Sequence, residues 1–205
     1  MSYQNTMRQE EYGTPGRSRN LLGRILRPVR AGEKYLAWND PKISGAPDTI
    51  LLTSPDFMPD GSMPQCCAGV GIGDNLSPAL DWAGIPPHTV DLAIIVQDPD
   101  APMLRPVLHL LVCGLNPERP GVPQGFLSPA ANQSLIFGRG SFGRIGYHGP
   151  RPPAGHGAHR YFFQIFALDR RLIFATHWPT YDEVIAKMEG SVLARGKLVG
   201  TFERI

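Results

Sequence analysis

The sequence predicts a mainly β chain, and three observations carry that expectation. Three long apolar runs have strand character, only one segment beyond the N-terminal region reads convincingly as a helix, and 23 Gly and 21 Pro residues interrupt the remainder of the 205-residue chain. Gly and Pro together make up roughly 12% of an ordinary chain, so the excess here excludes a helical bundle or coiled coil. A hydrophobic content of 42% with nine Phe equally excludes a disordered chain.

The strands come in order. Thr49 to Thr53 is a short apolar run closed by Ser54-Pro55-Asp56. Asp91 to Gln97 is apolar through its centre, the pattern of a strand covered on both faces, and Val107 to Leu115 reads the same way. Arg160 to Leu168 is rich in aromatic and β-branched residues. Gly138 to Gly157 is a long Gly/Pro loop, of a kind that tends to be functional. Pro179 precedes Thr180-x-x-Glu183, a capping box, and Val184, Ile185, Met188, Val192 and Leu193 follow at helical spacing. The expectation is one helix through these residues, ended by Gly196 or Gly200.

The first 34 residues form a basic extension, partly flexible, ahead of a single domain over 35–205. They carry Arg8, Arg17, Arg19, Arg24, Arg27, Arg30 and Lys34 against Glu10, Glu11 and Glu33. Asn20 to Arg30 has the pattern of a short amphipathic helix with Leu21, Leu22, Ile25 and Leu26 on one side, suited to loose packing on the domain or to a membrane surface or partner. Gly13, Pro15 and Gly16 predict mobility in the first dozen residues. Arg24 and Arg27 interrupt the only candidate signal-peptide core, Leu21 to Val29. No apolar run approaches the ~20 residues that span a bilayer. A net charge of +2 does not point to nucleic acid. Cys66, Cys67 and Cys113 are odd in number, adjacent in part, and without CxxC spacing, which predicts reduced thiols and a cytoplasmic setting.

Four segments hold polar residues next to strands. Asp98-Pro99-Asp100-Ala101-Pro102 ends one strand, and an extended backbone would put Asp98 and Asp100 on one face. His109 interrupts an apolar run. In His159-Arg160-Tyr161, alternation places His159 and Tyr161 on one side and Arg160 on the other, where it would reach a carboxylate or a carbonyl. Gly149-Pro150-Arg151-Pro152-Pro153 could supply rigid walls and backbone N–H groups. Each segment alone reads as a turn or a satisfied core residue. Together they suggest histidine and tyrosine donors around a small anion, with Asp98 orienting a histidine or accepting from a ligand ammonium.

The order Asn75-x-Ser77-Pro78-x-Leu80-x-Trp82, Asp98-Pro99-Asp100-Ala101-Pro102, His109, Gly149-Pro150-x-Pro152-Pro153-x-Gly155-x-Gly157-x-His159-Arg160-Tyr161 resembles the phosphatidylethanolamine-binding protein family, which includes the Raf kinase inhibitor proteins, and most of all its shorter microbial branch. The resemblance runs over about residues 45 to 204. It implies a large antiparallel sheet packed on a smaller one, with short peripheral helices and a C-terminal helix. It also implies a pocket for phosphate-type groups or phospholipid headgroups, with Asp98, His109, His159 and Tyr161 as ligand-binding residues and Asp100, Gly149 and Pro150 as walls. A phosphate or phosphoethanolamine-like ligand follows, without cofactor, metal or catalytic residue. A protein kinase or other protein partner, peripheral membrane contact and a homodimer stay open. Two departures stand out: microbial relatives carry tryptophan beside the residue matching His109, where this chain has Val107, Leu108 and Leu110, and Arg151 replaces a frequent cysteine. The first predicts a wider or less aromatic pocket.

Two other readings compete. Asp with two His could hold zinc or iron or act as an acid–base pair, giving a metal-dependent or acid–base hydrolytic enzyme; neither HExxH nor GxSxG is present. Gly69-Val70-Gly71-Ile72-Gly73 is not the GxGxxG of a nucleotide-binding turn and reads as a loop.

Overall fold

The apolar runs become the centre of a five-stranded antiparallel sheet. In the computed structural model, which describes residues 16–204 and side chains from Leu21 onward, the elements are α1 (Gly16–Leu26), β1 (Leu51–Thr53), β2 (Leu80–Ala83), β3 (Asp91–Asp98), β4 (Val107–Leu115), β5 (Gly121–Val122), β6 (Ile136–Phe137), β7 (His159–Leu168), α2 (Tyr181–Met188) and β8 (Val192–Phe202). The predicted mobility of the first dozen residues lies outside the described residues. The large sheet has the order β6-β4-β3-β7-β8 and the small one β1-β2-β5, all antiparallel. The fold is mainly β, as expected.

Central position explains β3: every one of its residues is buried. One face of the large sheet, through Ile94, Val96, Leu110, Val112, Phe163 and Ile165, packs on Leu52, Leu80 and Trp82 of the small sheet. The other face, through Ile95, Leu111, Cys113 and Phe166, packs on Val184, Ile185 and Met188 of α2. Phe163 and Phe166 are fully buried on opposite faces, each worth about 2–3 kcal/mol in apolar burial. On the α2 side two buried amides anchor a short turn: Gln97 Oε1 accepts from the Ala37 N–H, and Gln164 Oε1 from the Trp38 N–H, both at 2.7 Å.

The predicted helix after Pro179 is half right. Thr180 caps it and both arms of the capping box form, but the helix stops at Met188, and Val192 to Phe202 is the edge strand β8, paired along β7. Gly190 at φ 71° breaks the helix in the left-handed region. Beyond it the burial alternates with period two through Ala194, Gly196, Leu198 and Gly200. Gly196 is therefore not a helix stop. It lets the Ile50 carbonyl lie 2.1 Å from where a Cβ would stand. The C-terminal helix of the expected fold is thus the last helix but not the last element.

The basic segment does form a helix, α1, ending just before Pro28. It turns most of its apolar side away from the domain: Leu21, Leu22 and Ile25 are exposed, Leu26 is half-buried, and Gly23 faces inward. No helix among the described residues is long and apolar enough to cross a membrane.

Candidate functional site

The ends of β3 and β7 and the middle of β4 meet at one corner of the face that carries the small sheet. His159 and Tyr161, two apart on β7, point to that face, and Arg160 points to the other side. Asp98, the last residue of β3, shares their face and receives the His159 Nδ1–H on Oδ2 at 2.7 Å. Its Oδ1 accepts from the Asp100 and Ala101 N–H groups at 2.8 and 3.1 Å, which closes the turn after the strand.

His109 reaches the corner through a bulge. Strict alternation along β4 would send it to the α2 side with Leu111 and Cys113. The pairing instead shifts between Val96↔Leu110 and Gln97↔Leu108, leaving His109 as the extra residue. Leu108 then belongs to the α2 side, and the His109 ring stands edge-on to Tyr161 with centroids 5.1 Å apart. His109 Nδ1 donates to the His148 carbonyl, which fixes the tautomer and leaves Nε2 as the free ring nitrogen.

Six buried side-chain polar atoms lack a hydrogen-bond partner among the described residues, and two of them, His109 Nε2 and Tyr161 OH, sit on these touching rings. Buried polar atoms are nearly always paired, so two orphans at one spot mark a place that a ligand would complete. Burial lowers His109 below the ordinary histidine range, only partly offset by the Asp98 charge, while Arg144 and His159 add to the lowering. Burial also raises Tyr161, helped by Asp98. Both groups are therefore neutral at neutral pH.

Asp100 departs from the expectation. It does not share a face with Asp98, because the chain turns at Pro99. Its carboxylate takes Arg160 Nε and Nη2 at 2.9 and 3.0 Å and Arg30 Nη1 at 3.0 Å. Burial pushes it up, but the Arg160 and Arg30 bonds outweigh that and hold it below the usual carboxylate range. Asp100 is an ion-pair hub. In the Gly149-Pro150 segment the Gly149 N–H is spent on Asn75 Oδ1 at 2.8 Å, and the Pro150 carbonyl accepts from the Gly69 N–H. Gly149 lines a neighbouring groove of about 190 Å³ with Asn75, Arg144, His148 and Arg151. Asp98, His109, His159 and Tyr161 are all 7% exposed or less.

His156 is the residue that sequence reasoning missed. Its Nδ1 meets His159 Nε2 at 2.7 Å, and its Nε2 donates to the Leu26 carbonyl at 2.9 Å. The spacing His156-x-x-His159 was the available signal; its partner 130 residues away was not. Asn75, held at φ 59°, also belongs to the frame, since its side chain staples Gly149 and the Tyr147 carbonyl. The three cysteines are free thiols, and burial pushes Cys67 up to about 12. Among the described residues no group of three or more His, Cys, Asp or Glu is placed to hold a metal ion.

Comparison with known proteins gives a consistent result. The family model described as phosphatidylethanolamine-binding protein matches residues 53–203. A UPF0098 protein of Pyrococcus abyssi is 35% identical over 167 residues, covering 79% of this chain and 90% of its own length. A UPF0098 protein of Pyrococcus horikoshii is 42% identical over 142 residues, covering 67% and 68%. Among solved structures, a phosphatidylethanolamine-binding protein homologue of Chlamydia trachomatis superposes with a TM-score of 0.67 at 28% identity, covering 77% of this chain and 99% of its own. Escherichia coli YbcL superposes with a TM-score of 0.71 at 24% identity over the same shares, a likeness of fold.

Proposed function

This chain belongs to the phosphatidylethanolamine-binding protein family, in company with archaeal and bacterial relatives, and we propose that it is a non-enzymatic receptor for a phosphate-type group, free or on a phospholipid headgroup. The observation that supports this reading is the pair of orphaned buried atoms, His109 Nε2 and Tyr161 OH, at the corner where Asp98 and His159 also meet. The tyrosine hydroxyl donates as it stands. His109, with Nδ1 spent on His148, donates from Nε2 once it takes up a proton. Asp98 would repel a phosphate oxygen directly; its part is to hold His159 and to receive the ammonium of an ethanolamine headgroup. Ligand binding here would reshape residues 98–102 and 149–157, the route by which such a protein would modulate a kinase or another signalling partner. The hydrolytic alternative gains no support from the arrangement of His, Cys, Asp and Glu side chains.

The test is calorimetric titration with inorganic phosphate and with O-phosphoethanolamine, on wild type, His109→Gln and His159→Ala. Saturable binding that falls at least about tenfold in His109→Gln, the worth of one charge-assisted hydrogen bond, supports the site. Tighter binding of O-phosphoethanolamine than of phosphate adds the ammonium contact. Binding undiminished in both variants, or no saturable heat at millimolar ligand, overturns it.

A further inference from the structure

We infer that α1 is a displaceable plug on this corner and that His156 is its latch. The biological consequence rests on the binding reading above; the docking itself does not.

Polar contacts fasten α1 and its exit to both loops that flank the site. The Leu26 carbonyl, at the end of α1, receives the His156 Nε2–H at 2.9 Å. Arg27 Nε donates to the His156 carbonyl at 3.4 Å, and Arg30 pairs with Asp100 at 3.0 Å. The Ala31 and Gly32 N–H groups donate to the carbonyls of Ala101 and Pro99. Helix and exit segment thereby clamp 98–101 to 154–157. Gly23 makes the seat possible, because a Cβ on it would stand 2.0 Å from the Ala154 carbonyl oxygen and 2.9 Å from the His156 nitrogen.

The clamp has little apolar content. Leu21, Leu22, Ile25 and Val29 are 58, 61, 63 and 46% exposed. Most of the burial that holds a surface helix to its domain is therefore absent, and such an element belongs to the low-stability end of a fold.

The latch competes with a ligand. Leu26 O, His156, His159 and Asp98 form a row of three hydrogen bonds. The carbonyl and the ionised carboxylate can only accept, so three bonds require three protons on two imidazoles, one positive charge in all. The oxygen that meets the far end of this charged pair is a helix C-terminal carbonyl, the negative end of a helix dipole. It stands in for an anion oxygen. When α1 leaves, His156 Nε2 becomes a free donor at the corner, and any phosphate-type group that takes it displaces Leu26.

Two full-length variants test this. Gly23→Leu favours the helix and forbids its seat, and Arg30→Gln removes one clamp while leaving the seat. The probe that needs no ligand is carbethoxylation of His156 and His159 by diethylpyrocarbonate, followed by peptide mass, with thermal melting as a check that the sheets remain folded. Wild type should be protected, Gly23→Leu should react about tenfold faster, and Arg30→Gln should fall between, in proportion to the undocked fraction. Equal reactivity in wild type and Gly23→Leu overturns the plug. Phosphate titration of the same proteins separates the two ideas. Fast carbethoxylation with tighter phosphate binding in Gly23→Leu supports both. Fast carbethoxylation with no phosphate binding in any variant leaves the plug standing and removes the binding reading.

Discussion

Replacing Tyr161 by phenylalanine should make the free protein more stable and a worse receptor. Tyr161 is 1% exposed, its hydroxyl has no partner, and its ring is held edge-on by His109. The substitution keeps the ring and breaks no hydrogen bond. A buried, unpaired hydroxyl costs about 1–3 kcal/mol, so removing it should return about 1–2 kcal/mol. For a domain of this length that raises Tm by roughly 2–8 °C. The same hydroxyl is one of two donors offered to the ligand, and losing a hydrogen bond to a charged group costs about 1.5–3 kcal/mol, or about one to two orders of magnitude in Kd. Calorimetric melting and phosphate titration on the two proteins measure both effects. A loss of more than about 1 kcal/mol of stability would show that the hydroxyl has a partner, such as an ordered water, and that the orphan argument is wrong. Unchanged affinity would place the ligand elsewhere.

Four further outcomes follow from the structure. Asn75→Ala removes the bonds to Gly149 and the Tyr147 carbonyl and leaves alanine at φ 59°; it should cost about 2–4 kcal/mol in denaturant unfolding and weaken ligand binding by loosening 147–150. Affinity for sulfate, whose charge is constant over the range, should rise as pH falls from about 8 to about 5.5, by up to about tenfold per unit, because His109 is lowered by burial and must gain a proton to donate. Asp98, Arg144, His148, His159 and Tyr161 surround that ring, and a flat pH profile would remove His109 from the ligand. The free protein should move oppositely: His109 and His148 are both lowered by burial, so through them the unfolded chain binds more protons below about pH 6.5 and stability falls as pH drops through that value. Thr180→Ala, which removes the side-chain arm of the α2 capping box and keeps the backbone arm to Glu183, should cost about 1 kcal/mol in the same unfolding assay and leave ligand binding unchanged.

What could be read from the sequence was whatever depended on local period. His159, Arg160 and Tyr161 alternate as a strand must, and Arg160 does reach a carboxylate. The three long strands lie where their apolar runs stand, since a central strand has to be apolar on both faces. Strands β2, β5 and β6 have four residues or fewer, too short to show a period. Val192 and Leu193 continued the helical spacing of α2 by coincidence, and the left-handed Gly190 decided against it. The face of His109 depended on a bulge set by pairing with β3, and the role of His156 on a carbonyl at the other end of the chain. Neither is a property of neighbouring residues.

The bulge at His109 also bears on how faithfully the sheet assembles. Before it, even-numbered Leu108 turns toward α2; beyond it, odd-numbered Leu111 and Cys113 do so, and Leu110 and Val112 face the small sheet. A strand with one uninterrupted period can slide by two residues against its neighbour and bury a similar set of side chains. This one cannot, because its phase changes at a single fixed point. Any slip would carry the change of phase along with it, driving a leucine or the histidine into the wrong layer. The histidine that offers its nitrogen to a ligand thus also serves the chain as a registration mark, and its position would remain constrained even in a relative that had lost the ligand.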